Sequence, residues 1–328
     1  MRCDFLISSE RSGSNLITKI IDAHSQYCGP TSPHLLRIFY PVMSKYGNLQ
    51  EDANWNRFIS DILEMFNLKI GVWEVNFNKT ELLNITNRSL ASVVKYIYNK
   101  EAKHHLKTHA FIKEVNTFNL APYINENFEN AKYIWLVRDP RDMALSWVNS
   151  PIHRGDVVRA ANIWKKNQEH TISLFKQLTK TNKIILVKYE ALTEDQEQSI
   201  LNICDFLSIN FEAEMLSFHK NNMSVKNASK TDNWKNLNKA ILKNNSKKYK
   251  AKLTKEQIQY IEFVCNEEMS FLGYEKDFEL LSEKAFNSLH DVFVKQERHE
   301  KPAYNLIPEE EKLKREAWYS KYLEIQNV

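Results

Sequence analysis

Arg2-Cys3-Asp4-Phe5-Leu6-Ile7-Ser8-Ser9-Glu10-Arg11-Ser12-Gly13-Ser14-Asn15-Leu16-Ile17-Thr18-Lys19-Ile20-Ile21 is the stretch that decides the fold. Phe5-Leu6-Ile7 is short and apolar, the pattern of a buried strand. Small polar residues and one glycine follow. Leu16, Ile17, Ile20 and Ile21 then recur at helical spacing. Strand, tight loop and helix make an anion cradle, because loop N–H groups and the helix N-terminus both present partial positive charge. Arg11 adds a full charge to the loop. A Walker loop needs a second glycine and a Lys followed by Ser or Thr; here Gly13 stands alone and the cation precedes it. The plainer alternative is a strand-to-helix turn whose polar residues only cap the helix.

Two further stretches repeat the strand-to-helix pattern. Tyr133-Ile134-Trp135-Leu136-Val137 reads as a buried strand. Asp139 is then an N-cap, Pro140 the first helical residue and Asp142 a first-turn acid. Arg138 closes this strand and Ser146 lies two turns into the helix. A neighbouring carboxylate for Arg138, or a back-bond within the helix for Ser146, would explain either residue alone. Lys183 to Tyr189 reads as a third strand, followed by a helix over about 196–207. Strands alternating with helices imply a doubly wound parallel sheet, with ligands beyond the strands' carboxyl ends. Arg11, Lys107, Arg138 and Tyr189 are expected near that edge.

The chain has 328 residues, 43% hydrophobic and 26% charged, an ordinary globular composition. Its net charge of +4 permits an anionic ligand without arguing for nucleic acid. Cys3, Cys28, Cys204 and Cys265 have no metal or redox spacing. Cys204 and Cys265, at helical spacing among apolar residues, read as core thiols, which suits a reducing, cytoplasmic setting. No signal-peptide pattern or membrane-spanning apolar run is visible. In His104-His105-Leu106-Lys107-Thr108-His109, a strand would hold His105 and His109 about 13 Å apart, too far for one metal. Lys107 between them would favour an anion. His24 and His34 read as loop or helix-end residues satisfied by hydrogen bonds.

Residues 35–68 and 90–98 read as helical, and 69–77 is ambiguous. Residues 224–252 are rich in Lys and Asn, either a solvated loop or a cationic lid. Leu253 to Leu272 reads as one helix stopped by Gly273. Two more helices are expected over 278–293 and 309–325. The division drawn is a catalytic domain over 1–275 and a helical extension over 276–328, packed on the domain or on a partner, with room for a homo-oligomer through the tail.

These residues together resemble the sulfotransferases that use 3′-phosphoadenosine 5′-phosphosulfate (PAPS). Arg11-Ser12-Gly13-Ser14-Asn15 resembles that family's 5′-phosphosulfate loop. Arg138-Asp139-Pro140-Arg141-Asp142-Met143-Ala144-Leu145-Ser146 resembles its 3′-phosphate motif. Lys188-Tyr189-Glu190-Ala191-Leu192 is similar to the segment whose Tyr touches adenine. Asn233-Trp234-Lys235-Asn236 and Leu272-Gly273-Tyr274 match later landmarks. The matches run from about residue 4 to 275. Lys107-Thr108-His109 resembles the segment carrying the catalytic His of the small-molecule branch. Arg11 stands where that branch has Lys, and Leu16 where it often has an adenine-stacking Trp, a role left to Trp234.

The resemblance implies a P-loop-like doubly wound α/β fold and a sulfuryl transfer from PAPS, without a metal, to a hydroxyl or amine acceptor. Sulfuryl transfer is expected to parallel phosphoryl transfer, with the protein positioning and neutralising. Arg11 and the loop N–H groups of Ser12 to Asn15 would stabilise the leaving oxygen, assisted by Lys107. His109 would accept the acceptor's proton, with Glu74 or a loop acid as the alternative base. Arg138 and Ser146 would hold the 3′-phosphate, and Lys226 and Lys230 would close over it. Two other readings remain: a P-loop-like kinase using ATP and Mg²⁺, which the missing Walker residues disfavour, and a non-catalytic nucleotide-binding module.

Overall fold

The computed structural model describes residues 1–231, 234–243, 245–301 and 304–327. Asn233 of the Asn-Trp-Lys-Asn landmark therefore lies outside the described residues. Five parallel strands form the centre: β1 (Arg2–Ser8), β2 (Tyr27–Cys28), β3 (His109–Lys113), β4 (Tyr133–Val137) and β5 (Ile184–Lys188). Their order is β2-β3-β1-β4-β5. The chain leaves β1 toward β2 and β3 on one side and later reaches β4 and β5 on the other. The β1–β4 pair is thus the switch point, where two connections diverge and leave a crevice beyond the carboxyl ends.

Strand periodicity sorts the core into two layers. Phe5 and Ile7 of β1 pack with Tyr133, Trp135 and Val137 of β4 on one face. Leu6, Ile134 and Leu136 point to the other, against Ile17, Ile20 and Ile21 of α1 (Ser14–Asp22). Successive strand residues face opposite ways, so near-continuous apolar runs mean helices on both faces. The first face is covered by α2 (Leu35–Phe39), α3 (Asp52–Asn67), α5 (Leu90–His104), α6 (Thr117–Asn127), α7 (Pro140–Val148) and α8 (Val157–Leu178), with the small α4 (Lys79–Leu83) packed on α3. The second carries α9 (Tyr189–Glu194) and α10 (Gln196–Leu207). Asp139 caps α7 as expected, accepting from the Arg141 N–H at 2.9 Å.

Three expectations change. The helix before β3 runs on to His104, and β3 begins only at His109, so Lys107 is on a connecting turn and not on a strand face. Buried Glu101 holds this last helical turn: it accepts from the Glu74 and Val75 N–H groups at 3.1 and 3.0 Å, and His105 lies 3.4 Å away. The long helix over 253–272 is two: α12 (Lys255–Val264) and α13 (Asn266–Leu272), divided at Cys265. Gly273 ends α13 in a left-handed turn, φ 66°. Residues 224–252 are more ordered than a bare loop, since α11 (Asn222–Ala228) takes in their start.

The extension packs on the domain itself. α14 (Glu283–Gln296) stacks Phe286 on Phe263 at 4.1 Å, and Tyr260 bonds His290 at 2.8 Å. α15 (Glu309–Asn327) buries Ile325 and sets Lys321 between Asp61 and Glu64 of α3, at 2.9 and 2.8 Å. All four cysteines are buried free thiols. Among the described residues no helix is long and apolar enough to cross a membrane.

One buried ion network ties α7 to α12. Arg141 bonds Asp139 through two nitrogens, at 2.9 and 2.7 Å, and Glu262 through a third at 2.5 Å. Glu262 is buried and also accepts from the Asp277 N–H at 2.7 Å. Removing the cation leaves a buried carboxylate uncompensated. Arg141→Ala should therefore cost about 3–5 kcal/mol, read as a lower midpoint in urea unfolding; an unchanged midpoint would mean the network contributes nothing.

Candidate active site

The loop after β1 is shaped by two left-handed residues, Arg11 (φ 64°) and Gly13 (φ 91°). They turn successive N–H groups inward ahead of α1, the geometry of an anion nest. Ser9 anchors the loop's start by accepting from Asn167 and Gln168 of α8, at 3.2 and 2.8 Å. Ser12 is fully buried, and its Oγ has no hydrogen-bond partner among the described residues. Gly13 cannot carry a side chain: a Cβ there would lie 2.5 Å from the Tyr189 ring. Asn15 accepts through Oδ1 from Lys113 Nζ at 2.6 Å.

Arg138 projects from the end of β4 into the same crevice. It donates to the Arg11 carbonyl at 3.2 Å and to the Asn245 carbonyl at 3.3 Å, and lies 4.5 Å over the Tyr189 ring. Its Nε is buried without a hydrogen-bond partner. Nearly two turns into α7, Ser146 accepts from Arg11 Nε at 3.1 Å. Asn245 donates to Tyr189 Oη at 2.5 Å. Asp142 accepts from the Lys247 and Tyr249 N–H groups, at 2.6 and 3.1 Å, pinning the returning segment to α7. Burial pushes the Asp142 carboxyl above its ordinary value.

A cavity of about 370 Å³ results. Arg11, Gly13, Ser14, Asn15, Arg138, Ser146, Tyr189 and Trp234 line it, together with Leu16, Ile241, Lys239 and Lys248. Cationic groups stand at its walls, and two aromatic residues, Tyr189 and Trp234, line it as well. Two orphaned buried groups, Ser12 Oγ and Arg138 Nε, sit at the loop and at the end of β4. Buried polar atoms without partners are costly, and an anion at each place would supply one.

Four expected residues are not brought to this cavity. β3 starts with His109 opposite Arg2, the first residue of β1, so His109 sits at the amino end of the sheet. The anion loop is at the other end. The His109 ring rests 5.0 Å from Tyr27, and burial holds its pKa below the ordinary value. Lys107, just before it, pairs with Asp22 at 3.6 Å. Lys226 is bonded to Glu74 at 2.9 Å, which also occupies that alternative base. Lys230 is exposed beyond α11 and does not line the cavity. The lysines of 224–252 that line it are Lys239 and Lys248, among the described residues.

Lys113 was missed. It closes β3 as Arg138 closes β4, and burial pushes its pKa down to about 8. The signal was present: a lysine ending the apolar run Ala110-Phe111-Ile112.

The Sulfotransferase family matches residues 5–213. Comparison with curated proteins finds no match. Among solved structures, the sulfotransferase domain of the Synechococcus PCC 7002 olefin synthase is similar at TM-score 0.58 and 19% identity, over 84% of this chain and 95% of that one. A sulfotransferase domain from the curacin biosynthetic pathway follows at 0.49 and 17%, over 90% and 98%. The mouse sulfotransferase SULT7A1 complexed with PAP gives 0.45 and 12%, over 89% and 88%. At such identities the likeness to the first is one of fold. The family match spans more than half of the residues, and with it the chain belongs to the sulfotransferase family.

Proposed function

We propose that the chain transfers the sulfuryl group of PAPS to a hydroxyl or amine acceptor by in-line displacement. The observation that carries this reading is the pair of anion grips on one cavity: the Arg11–Asn15 loop at the end of β1, and Arg138 with Ser146 at the end of β4. A donor with phosphate groups at both ends of a nucleoside needs two such grips and a flat surface between them. Tyr189 and Trp234 line the same cavity.

In this reading the loop N–H groups and Arg11 neutralise the bridging oxygen as the sulfur–oxygen bond breaks. Lys113, held on Asn15, supplies the second cation in place of Lys107. Arg138 and Ser146 fix the 3′-phosphate and so the line of attack. Arg11 now touches Ser146, so donor binding exchanges that contact for phosphate at both residues.

Arg138→Ala should weaken adenosine 3′,5′-bisphosphate binding at least tenfold, about 1.4 kcal/mol, by calorimetry. Arg11→Ala should instead remove most turnover of labelled PAPS. Equal bisphosphate affinity in Arg138→Ala and wild type would end the assignment. A thermal shift with ATP and Mg²⁺ but none with the bisphosphate would point to a kinase.

A pH limb follows from Lys113. With a pKa near 8, it is charged at neutral pH and loses its proton as pH rises through that value. Transfer at saturating donor should fall above about pH 8, and Lys113→Arg should keep its rate to pH 9 because guanidinium stays protonated. The same falling limb in both proteins would remove Lys113 from the chemistry.

A further inference from the structure

Resting on the sulfuryl-transfer reading above, we propose that His34 is the general base for the acceptor, with Glu114 as its positioning residue. The two sit on the β3 side of the anion loop. Lys113 donates to Asn15 of that loop, and Glu114 is the next residue along the chain. Glu114 is buried and accepts through Oε1 from the Leu36 N–H at 3.3 Å. Its Oε2 lies 3.5 Å from His34 Nδ1. No shorter partner satisfies either atom.

Among the described residues the remaining nitrogen of His34, Nε2, has no partner, and the side chain keeps about a quarter of its surface exposed. At the start of α2, His34 takes a left-handed conformation (φ 59°), and its N–H donates to Ser32 Oγ at 3.0 Å. One ring nitrogen on a buried carboxylate and the other open is the arrangement of an oriented base. In a ligand-free site such contacts are often long and tighten with substrate.

The other histidines near the sheet are committed. His24 bonds the Asn210 carbonyl through Nε2 at 2.9 Å and the Gln26 N–H through Nδ1 at 3.0 Å. His153 bonds Ser150 at 2.7 Å and lies 3.4 Å from Glu10. Glu10 stands beside Arg11, but His153, Arg37 and Lys113 hold its pKa below the ordinary value, which makes it a weak base. His34 is itself faced by Glu114 and Lys113 from the end of β3 and by Arg37 from α2. Burial lowers its pKa, Arg37 and Lys113 lower it further, and Glu114 opposes them. The imidazole is therefore neutral at pH 7 and ready to accept a proton.

The step balances simply. The acceptor O–H loses its proton to His34 Nε2 while its oxygen forms the new bond to sulfur. The bond from sulfur to the bridging oxygen breaks, and adenosine 3′,5′-bisphosphate leaves with that electron pair. The products are a sulfate ester and imidazolium.

The test uses the full chain, labelled PAPS and a pool of simple alcohols and phenols, with water counted as an acceptor, from pH 5 to 9. His34→Gln should bind adenosine 3′,5′-bisphosphate as wild type does, yet turn over about a hundredfold more slowly and lose the low-pH limb. Glu114→Gln should keep that limb but move it to lower pH, since the carboxylate is what holds the imidazole's proton. Should His34→Gln melt early, the Glu114→Gln profile decides alone. Turnover of His34→Gln within about threefold of wild type overturns the proposal. So does an unmoved limb in Glu114→Gln, or a wild type that binds the bisphosphate and sulfates nothing. A wild type that fails to bind the bisphosphate overturns the donor reading first, and this one with it.

Discussion

The Arg138 guanidinium is the contact on which the site depends. It stands at the carboxyl end of β4 and reaches three other parts of the chain: the Arg11 carbonyl after β1, the Asn245 carbonyl of the returning segment, and the Tyr189 ring after β5. A planar cation can do this because its donors leave in one plane while its face remains free for an aromatic ring. The parallel sheet brings those strand ends to one edge, and Arg138 joins them. An unpaired charge in this position would be expensive, so the carbonyls and the ring are as much its solvent as its neighbours.

Much of this edge was legible because its signals are local. Asp139 and Pro140 mark the start of α7 whatever surrounds them, and β4 has the expected bounds. The loop from Arg11 to Asn15 is read the same way, from a strand, a lone glycine and a helical apolar stripe. Arg138, Ser146, Tyr189 and Trp234 all line one cavity at this edge.

The reading of Lys107 departs from the structure because it needed strand register, which is set between strands and not along them. Lys107 and Lys113 both precede or close the same short strand. Only the pairing of Arg2 with His109 and of Leu6 with Lys113 tells which one faces the anion loop. The helix α5 conceals the point further, because its last turn is held by Glu101 from the distant Glu74 and Val75 amides. Cys265 likewise divides α12 from α13 without the glycine or proline that would announce a break. Which of the many lysines in 224–252 reach the cavity is likewise not local, since Asp142 pins residues 247 and 249 from α7.

The ring of Tyr189 against Gly13 has a consequence for how this chain can vary. A Cβ at position 13 would be 2.5 and 2.6 Å from two ring carbons. The glycine is thus fixed from outside the loop as well as by its left-handed backbone. Tyr189 is held in turn by Asn245 and by the Arg138 face. Positions 13 and 189 therefore form a single heritable unit: a larger residue at one is admissible only with a smaller one at the other, and that exchange would take the aromatic ring out of the cavity wall.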